Sequence, residues 1–198
     1  TWKELKSVAG IVVPGGFGIR GCEGKILAAK YARENKVPYL GLCLGMQIMS
    51  IEFARHALNN PKITSEEFDE DGKIPKKDYI IHFLPGQHKN RDKGGTLRLG
   101  NYDCKIKKGT KTYELYGEEL IKERHRHRYE FNNDFKKNLD KKGMVFSGIN
   151  PQQNLVEIAE LKDHPFMMGS QFHPEFKSRP NKPHPLFRGF IRAAIKNL

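Results

Sequence analysis

The chain has 198 residues, 37% hydrophobic and 29% charged, with 35 Lys and Arg against 23 Asp and Glu for a net charge of +12. That length suits one domain with a single core burying roughly 70% of its unfolded surface. No apolar run approaches the roughly 20 residues of a membrane span, and no secretory h-region opens the chain.

In chain order, the apolar, β-branched segment 8–13 stops at Pro14-Gly15-Gly16 and predicts a buried strand ending in a tight loop. Residues 23–35 are helix formers, with Ile26, Leu27, Lys30 and Tyr31 near helical spacing. A second buried strand is expected over 37–42. A second helix follows over 47–58, with Ile48, Ile51, Phe53, Ala54 and Leu58 inward. Strand, helix, strand, helix is the signature of a parallel α/β sheet. The polar stretch 59–78, with Pro61, Gly72 and Pro75, reads as a long loop, and 79–84 as a strand. Residues 85–95 are Gly- and Lys-rich without periodicity, the composition of a functional lid or a disordered loop. Strands over 96–105 and 121–131, a short helix over 132–141, strands over 144–149, 155–160 and 166–172, and a helix over 186–198 complete the reading. The expected fold class is α/β: a central, mostly parallel (mixed) sheet flanked by helices, forming one domain over 1–198 without internal repeat or linker.

Three widely spaced cysteines, Cys22, Cys43 and Cys104, with no C-x-x-C pair, argue against a disulfide scaffold and a zinc site. They point to a reducing, cytoplasmic setting. The lysines are scattered rather than banded, so the positive charge reads as a solvated surface before it reads as a nucleic-acid footprint; an acidic or nucleotide partner is a third reading. A chain opening on Thr1 instead of Met is expected to be a piece of a longer protein.

The sharpest feature is Gly41-Leu42-Cys43-Leu44-Gly45, between an apolar strand and a helix. It is the G-x-S-x-G nucleophile elbow with Cys for Ser. The turn is so sharp that side chains two before and two after the nucleophile would collide. It sets the thiol at a helix N-terminus, where unpaired N–H groups and the helix dipole favour the reactive thiolate. The N–H of Leu44 is then placed to donate to an oxyanion. Cys22 and Cys104 lack such a context and read as structural thiols.

A thiolate nucleophile needs an imidazole. His173-Pro174-Glu175 follows the strand 166–172, and residues two apart on an extended segment share a side. Pro174 biases His173 towards an extended backbone, and a carboxylate beside the ring would fix its tautomer and stabilise the imidazolium. His125 and His127 alternate with Arg124, Arg126 and Arg128 along one strand and offer no third metal ligand. His56 lies on a core helix, where a structural role is the default.

Together GLCLGMQ, PGGFG and HPE resemble the class I (triad) glutamine amidotransferases. PGGFGIRGCEGK, GGTLRLG and ERHRHRYE narrow the resemblance to the CTP synthase family, along nearly the whole chain to HPLFRGF near its end. The resemblance implies that Cys43 attacks the glutamine side-chain amide, that the N–H groups of Gly16 and Leu44 hold the oxyanion, and that His173, oriented by Glu175, moves the protons. It implies substrate contacts at Gly16, Phe17, Leu44, Gly45, Met46, Gln47, Glu67 and Arg128. It implies no cofactor and no metal in this domain, no membrane and no nucleic acid. Its expected partner is a synthetase domain that uses ATP and Mg2+ to aminate UTP, with GTP as allosteric activator and a tetramer formed mainly through that other domain. No G-x-x-x-x-G-K-[ST] phosphate loop occurs in these residues, so the synthetase half is expected to be absent. The segment 88–93 falls in the family's variable lid, and no GTP contact is carried onto it. Another amidotransferase glutaminase, a hydrolase or peptidase on the same scaffold, and a non-enzymatic basic binding module remain as alternatives.

Overall fold

The computed structural model describes residues 2–83 and 98–198. The expected lid, the end of the strand 79–84 and the first residues of GGTLRLG lie outside them.

Helix α1 (Trp2–Leu5) leads into strand β1 (Ile11–Val13), helix α2 (Cys22–Asn35), strand β2 (Tyr39–Leu42) and helix α3 (Leu44–Ala57). Two short strands follow, β3 (Thr64–Ser65) and β4 (Tyr79–Phe83). Beyond 97 come β5 (Arg98–Ile106), α4 (Lys111–Tyr116), β6 (Leu120–His127), β7 (Tyr129–Phe131), α5 (Lys136–Asp140), β8 (Met144–Ile149), β9 (Val156–Leu161), β10 (Met167–Ser170) and α6 (Pro185–Lys196).

Among the described residues, seven strands form one mixed sheet in the order β1-β2-β10-β9-β8-β5-β6. Within this sheet parallel pairing is confined to β1 with β2 and β2 with β10, the latter in the register Gly169 to Gly41. The remaining pairs are antiparallel. The parallel part needs the crossover helices α2 and α3, whereas later strands connect through turns and short helices. A second sheet, β3-β4-β7, stands apart.

Alternation along β2 and β10 divides the core between the faces of the large sheet. Tyr39 and Met167 join one cluster with α2 and α3. Leu40, Leu42 and Met168 join the other, with Phe166, Phe172, Leu186 and Phe190. Helix α3 is buried from Leu44 through Ala54. Its one buried acid, Glu52, is held by the Arg33 guanidinium, with Nη2 to Oε1 at 2.8 Å.

Three differences from the sequence reading have plain causes. Helix α3 starts at Leu44, three residues before the expected 47, because Cys43 is its N-cap. The strand 121–131 breaks at Arg128: β6 pairs with β5 in the large sheet and β7 with β4 in the small one, so the chain changes sheets there. Helix α4 falls where no element was expected. It is short, and its ends carry its signal: the Thr110 side chain accepts from Tyr113 N–H, and Gly117 stops it at φ 71°.

Candidate active site

Cys43 occupies the turn between β2 and α3 with φ 51° and ψ −102°, a conformation a side chain rarely adopts. It is held from both sides. Its N–H donates to Ser170 O of β10 (2.7 Å), and its carbonyl accepts from Met46 N–H (3.1 Å) and Gln47 N–H (3.2 Å). The flanking glycines are required sterically: a Cβ at Gly41 would overlap the Gly45 carbonyl, and one at Gly45 would overlap that of Val13. The elbow expected from G-L-C-L-G is therefore present, and it is wedged against β1.

His173 follows β10, whose parallel register beside β2 carries it to the same end of the sheet as Cys43. Its Nδ1 lies 2.6 Å from Glu175 Oε1, and its ring stacks on Phe176 at 5.1 Å and 20°. His173 N–H donates to Arg124 O (2.9 Å), which ties the segment to β6. The loop after β1 shows that the two side chains are neighbours. A Cβ on Gly15 would stand 2.9 Å from His173 Cε1 and 3.6 Å from Cys43 Cβ. His173 Nε2 is buried and has no hydrogen-bond partner among the described residues. The thiol, the imidazole and the carboxylate are thus brought to one place.

The other expected residues surround that place unevenly. Gly16 crosses the start of α3, where a Cβ would meet Leu44 Cδ2 at 3.2 Å. Gly18 N–H donates to Glu67 Oε1 (2.8 Å), so the turn after β3 anchors the Gly-rich loop. Gln47 is buried, and its Nε2 reaches Tyr129 O (3.4 Å) and Gln171 Oε1 (3.2 Å). The Met46 side chain packs on Gly169 of β10, and the Gly45 carbonyl accepts from Tyr39 O–H (2.8 Å). Arg128 sits at the sheet change, close enough to Glu67 to attract its charge. Phe17 is 61% exposed.

A family model described as "Glutamine amidotransferase class-I" matches residues 1–193. The CTP synthase of Dehalococcoides mccartyi is 62% identical over 192 residues, covering 97% of this chain and 35% of the relative. That of Bacillus subtilis is 58% identical over 187 residues, covering 94% of this chain and 34% of the relative. The chain thus spans about a third of the length of the curated relatives it matches. A solved Trypanosoma brucei CTPS glutaminase domain with bound acivicin is 36% identical, superposes with a TM-score of 0.87, and is covered over 74% of its length by 98% of this chain. The chain belongs to the class I glutamine amidotransferases, as a CTP synthase glutaminase domain. A Methylobacillus flagellatus glutamine amidotransferase, 12% identical with a TM-score of 0.58 over 98% of this chain and 78% of its own, shares the fold.

The electrostatics of this glutaminase domain follow from burial. Burial pushes the Cys43 thiol up to about 12, the Leu44 N–H pulls it down, and the charges of Glu130, Glu67 and Glu175 push it further up. Burial also raises the Glu67 carboxyl, opposed by the Gly18 N–H and by Arg128. For Glu175 burial again raises, but the hydrogen bond and charge of His173 prevail and hold it below its ordinary value.

Beneath the site lies a buried polar cluster. The inward half of ERHRHRYE supplies His125, His127 and Glu130, joined by Arg98 and Glu157. Burial pushes both imidazoles far down, so they are neutral, and burial lifts both carboxyls. Among the described residues no cluster of three or more His, Cys, Asp or Glu side chains is arranged to hold a metal ion, and no helix is long and apolar enough to cross a membrane. Sequence reasoning missed Gln171, Phe176 and the Tyr129 carbonyl. Phe176 flanks H-P-E directly and Gln171 lies two residues before it, the only signal they carried; a backbone carbonyl carries none.

Proposed function

We propose that this domain hydrolyses glutamine to glutamate and ammonia through Cys43, His173 and Glu175 and a thioester intermediate. The observation that carries the reading is the buried, unpartnered Nε2 of His173 beside a cysteine on a strand-to-helix elbow, with Nδ1 committed to Glu175 at 2.6 Å. An imidazole whose Nδ1–H is fixed by a carboxylate presents Nε2 as a base.

Nε2 takes the thiol proton as sulfur bonds to the amide carbon. The same proton passes to nitrogen as the C–N bond breaks and ammonia leaves. Water then attacks the thioester, gives a proton to Nε2, and the C–S bond breaks to return the thiol and release glutamate. A thiol raised to about 12 is not a standing thiolate, so deprotonation by His173 belongs to the attack itself. The N–H groups of Gly16 and Leu44 receive the oxyanion, each of such donors being worth about 100- to 1000-fold in rate. Glu67, Arg128, Gln47 and Phe17, with the backbone of Gly45 and Met46, surround the substrate.

In the whole protein, of which this chain is one domain over 1–198, the ammonia passes to a synthetase domain and aminates UTP to CTP. ATP supplies the activation of the uracil oxygen, and no phosphate loop is present in these residues to hold it, so ATP, its Mg2+ and the larger part of a tetramer are assigned to the synthetase domain. GTP acts as activator on the assembled protein, and a cytoplasmic setting suits the free cysteines.

The test is glutamate release by the wild type against Cys43→Ala, with intact mass after a glutamine-mimicking electrophile. The expected result is release and a single adduct in the wild type and neither in the variant. Release that persists in Cys43→Ala sinks the proposal.

A further inference from the structure

Gln171 is fully buried and two residues before His173. Its Nε2 lies 3.6 Å from Cys43 Sγ, within hydrogen-bond reach of sulfur. Its backbone N–H is committed to Glu157 O (2.8 Å), and Phe172 between it and His173 turns into the opposite core cluster. Gln171 and His173 therefore approach the same thiol from consecutive same-side positions.

The polarity of this contact is fixed by a backbone group. The Tyr129 carbonyl can only accept, and it accepts from Gln47 Nε2 at 3.4 Å. The second hydrogen of that amide points at Gln171, 3.2 Å away, so the Gln171 atom there is an acceptor, Oε1. The remaining Gln171 group, its NH2, faces sulfur. The carbonyl is itself held in place, because His127 Nδ1 lies 3.2 Å from it and His127 Nε2 lies 2.8 Å from His125 Nδ1. The inward histidines of ERHRHRYE, which the hydrolytic steps leave unused, thus brace one end of a chain that ends on the nucleophile.

We propose that Gln171 is a further catalytic residue, an N–H donor that holds the Cys43 sulfur in position and stabilises it as negative charge develops there. The bond to a neutral thiol is weak, and it strengthens as the thiolate forms. This rests on the assignment of Cys43 as nucleophile.

The test uses Gln171→Leu, which keeps the bulk and loses the donor, and Gln171→Asn, which keeps the donor out of reach. Both are compared with the wild type in iodoacetamide alkylation of Cys43 between pH 7 and 9 and in steady-state glutamine hydrolysis. Each variant is expected to alkylate about 10- to 100-fold more slowly at a given pH, the range for a hydrogen bond to a charged acceptor. The value of kcat should fall in parallel, with KM within about threefold. Alkylation and kcat within twofold of the wild type would overturn the role. Should neither variant fold, the wild type decides by NMR. A nuclear Overhauser contact from the Gln171 side-chain amide protons to the Cys43 β-protons sustains it, and its absence overturns it. Cys43→Ala run alongside separates the layers: persistent hydrolysis there removes the nucleophile, whereas loss there with unchanged Gln171 variants removes only the donor.

Discussion

Cys43 and His173 each carry a cost that the surrounding chain offsets. The thiol is buried and raised to about 12, so below pH 9 its thiolate fraction grows about tenfold per pH unit. Alkylation of the free domain is therefore expected to climb without a plateau from pH 7 to 9; levelling off below pH 8 would reveal a standing thiolate instead. In the proposed mechanism Glu175, 2.6 Å from Nδ1, keeps His173 in the tautomer that leaves Nε2 open. Glu175→Gln should lower kcat by about 100- to 10,000-fold with little change in KM, judged by steady-state glutamate release. At this scale the sequence was readable where a residue sat inside a pattern. Cys43 had its flanking glycines and His173 its Pro-Glu. Glu67 and Arg128 came only through family resemblance, because the contacts joining Glu67 to Gly18 and Arg128 cross 49 and 61 positions with no local periodicity. Gln171 had only its place two residues before His173.

Among the elements, the elbow is the least tolerant. Gly45 lies against the Val13 carbonyl of β1, where any side chain must displace backbone. Gly45→Ala is expected to cost about 3 kcal/mol or more, since overpacking a close backbone contact leaves no side chain to yield. Urea unfolding monitored by circular dichroism measures this, and a loss under 1 kcal/mol would mean that β1 and α3 can part. The strands of the parallel half were legible because they are continuous apolar runs between Gly and Pro. The break of 121–131 at Arg128 was not. Nothing in R-H-R-Y-E disturbs the alternation, and the break follows from β7 finding its partner in another sheet. Helix α4 escaped because six residues carry too little periodicity to register.

Across the whole molecule, Arg98 binds the two sheets together. From β5 it meets Glu157 of β9 (2.7 Å) and Glu130 of β7 (3.7 Å), with its guanidinium 4.3 Å over the Tyr102 ring. Burial lifts Glu157 to about 7 and Glu130 well above its ordinary value, even with the guanidinium present. A carboxyl whose folded value exceeds its unfolded one stabilises fully below the unfolded value, and that stabilisation is lost as pH rises through the folded one. Arg98→Met strands two buried acids and should cost about 3–5 kcal/mol near pH 8, and less at pH 5.5, below the value of about 7 to which Glu157 is lifted. Thermal unfolding at the two pH values checks it; a deficit that does not shrink on acidification would show that Arg98 acts through packing. The mixed α/β class was legible from the order of elements, but this tie was hidden, because its three members lie on three strands far apart in sequence.

The register of β2 beside β10 has a consequence for how the domain can be divided. Cys43 and His173, the proposed nucleophile and base, reach one end of the sheet only because two strands, separated by most of the chain, lie parallel and adjacent. The exposed turn at Asp71 and Gly72 separates them in sequence. Nicking the backbone there would put Cys43 on one fragment and His173 with Glu175 on the other, each inert alone. Ammonia would then be released only when the fragments find each other, which makes this domain a candidate split reporter whose signal is base and nucleophile meeting again.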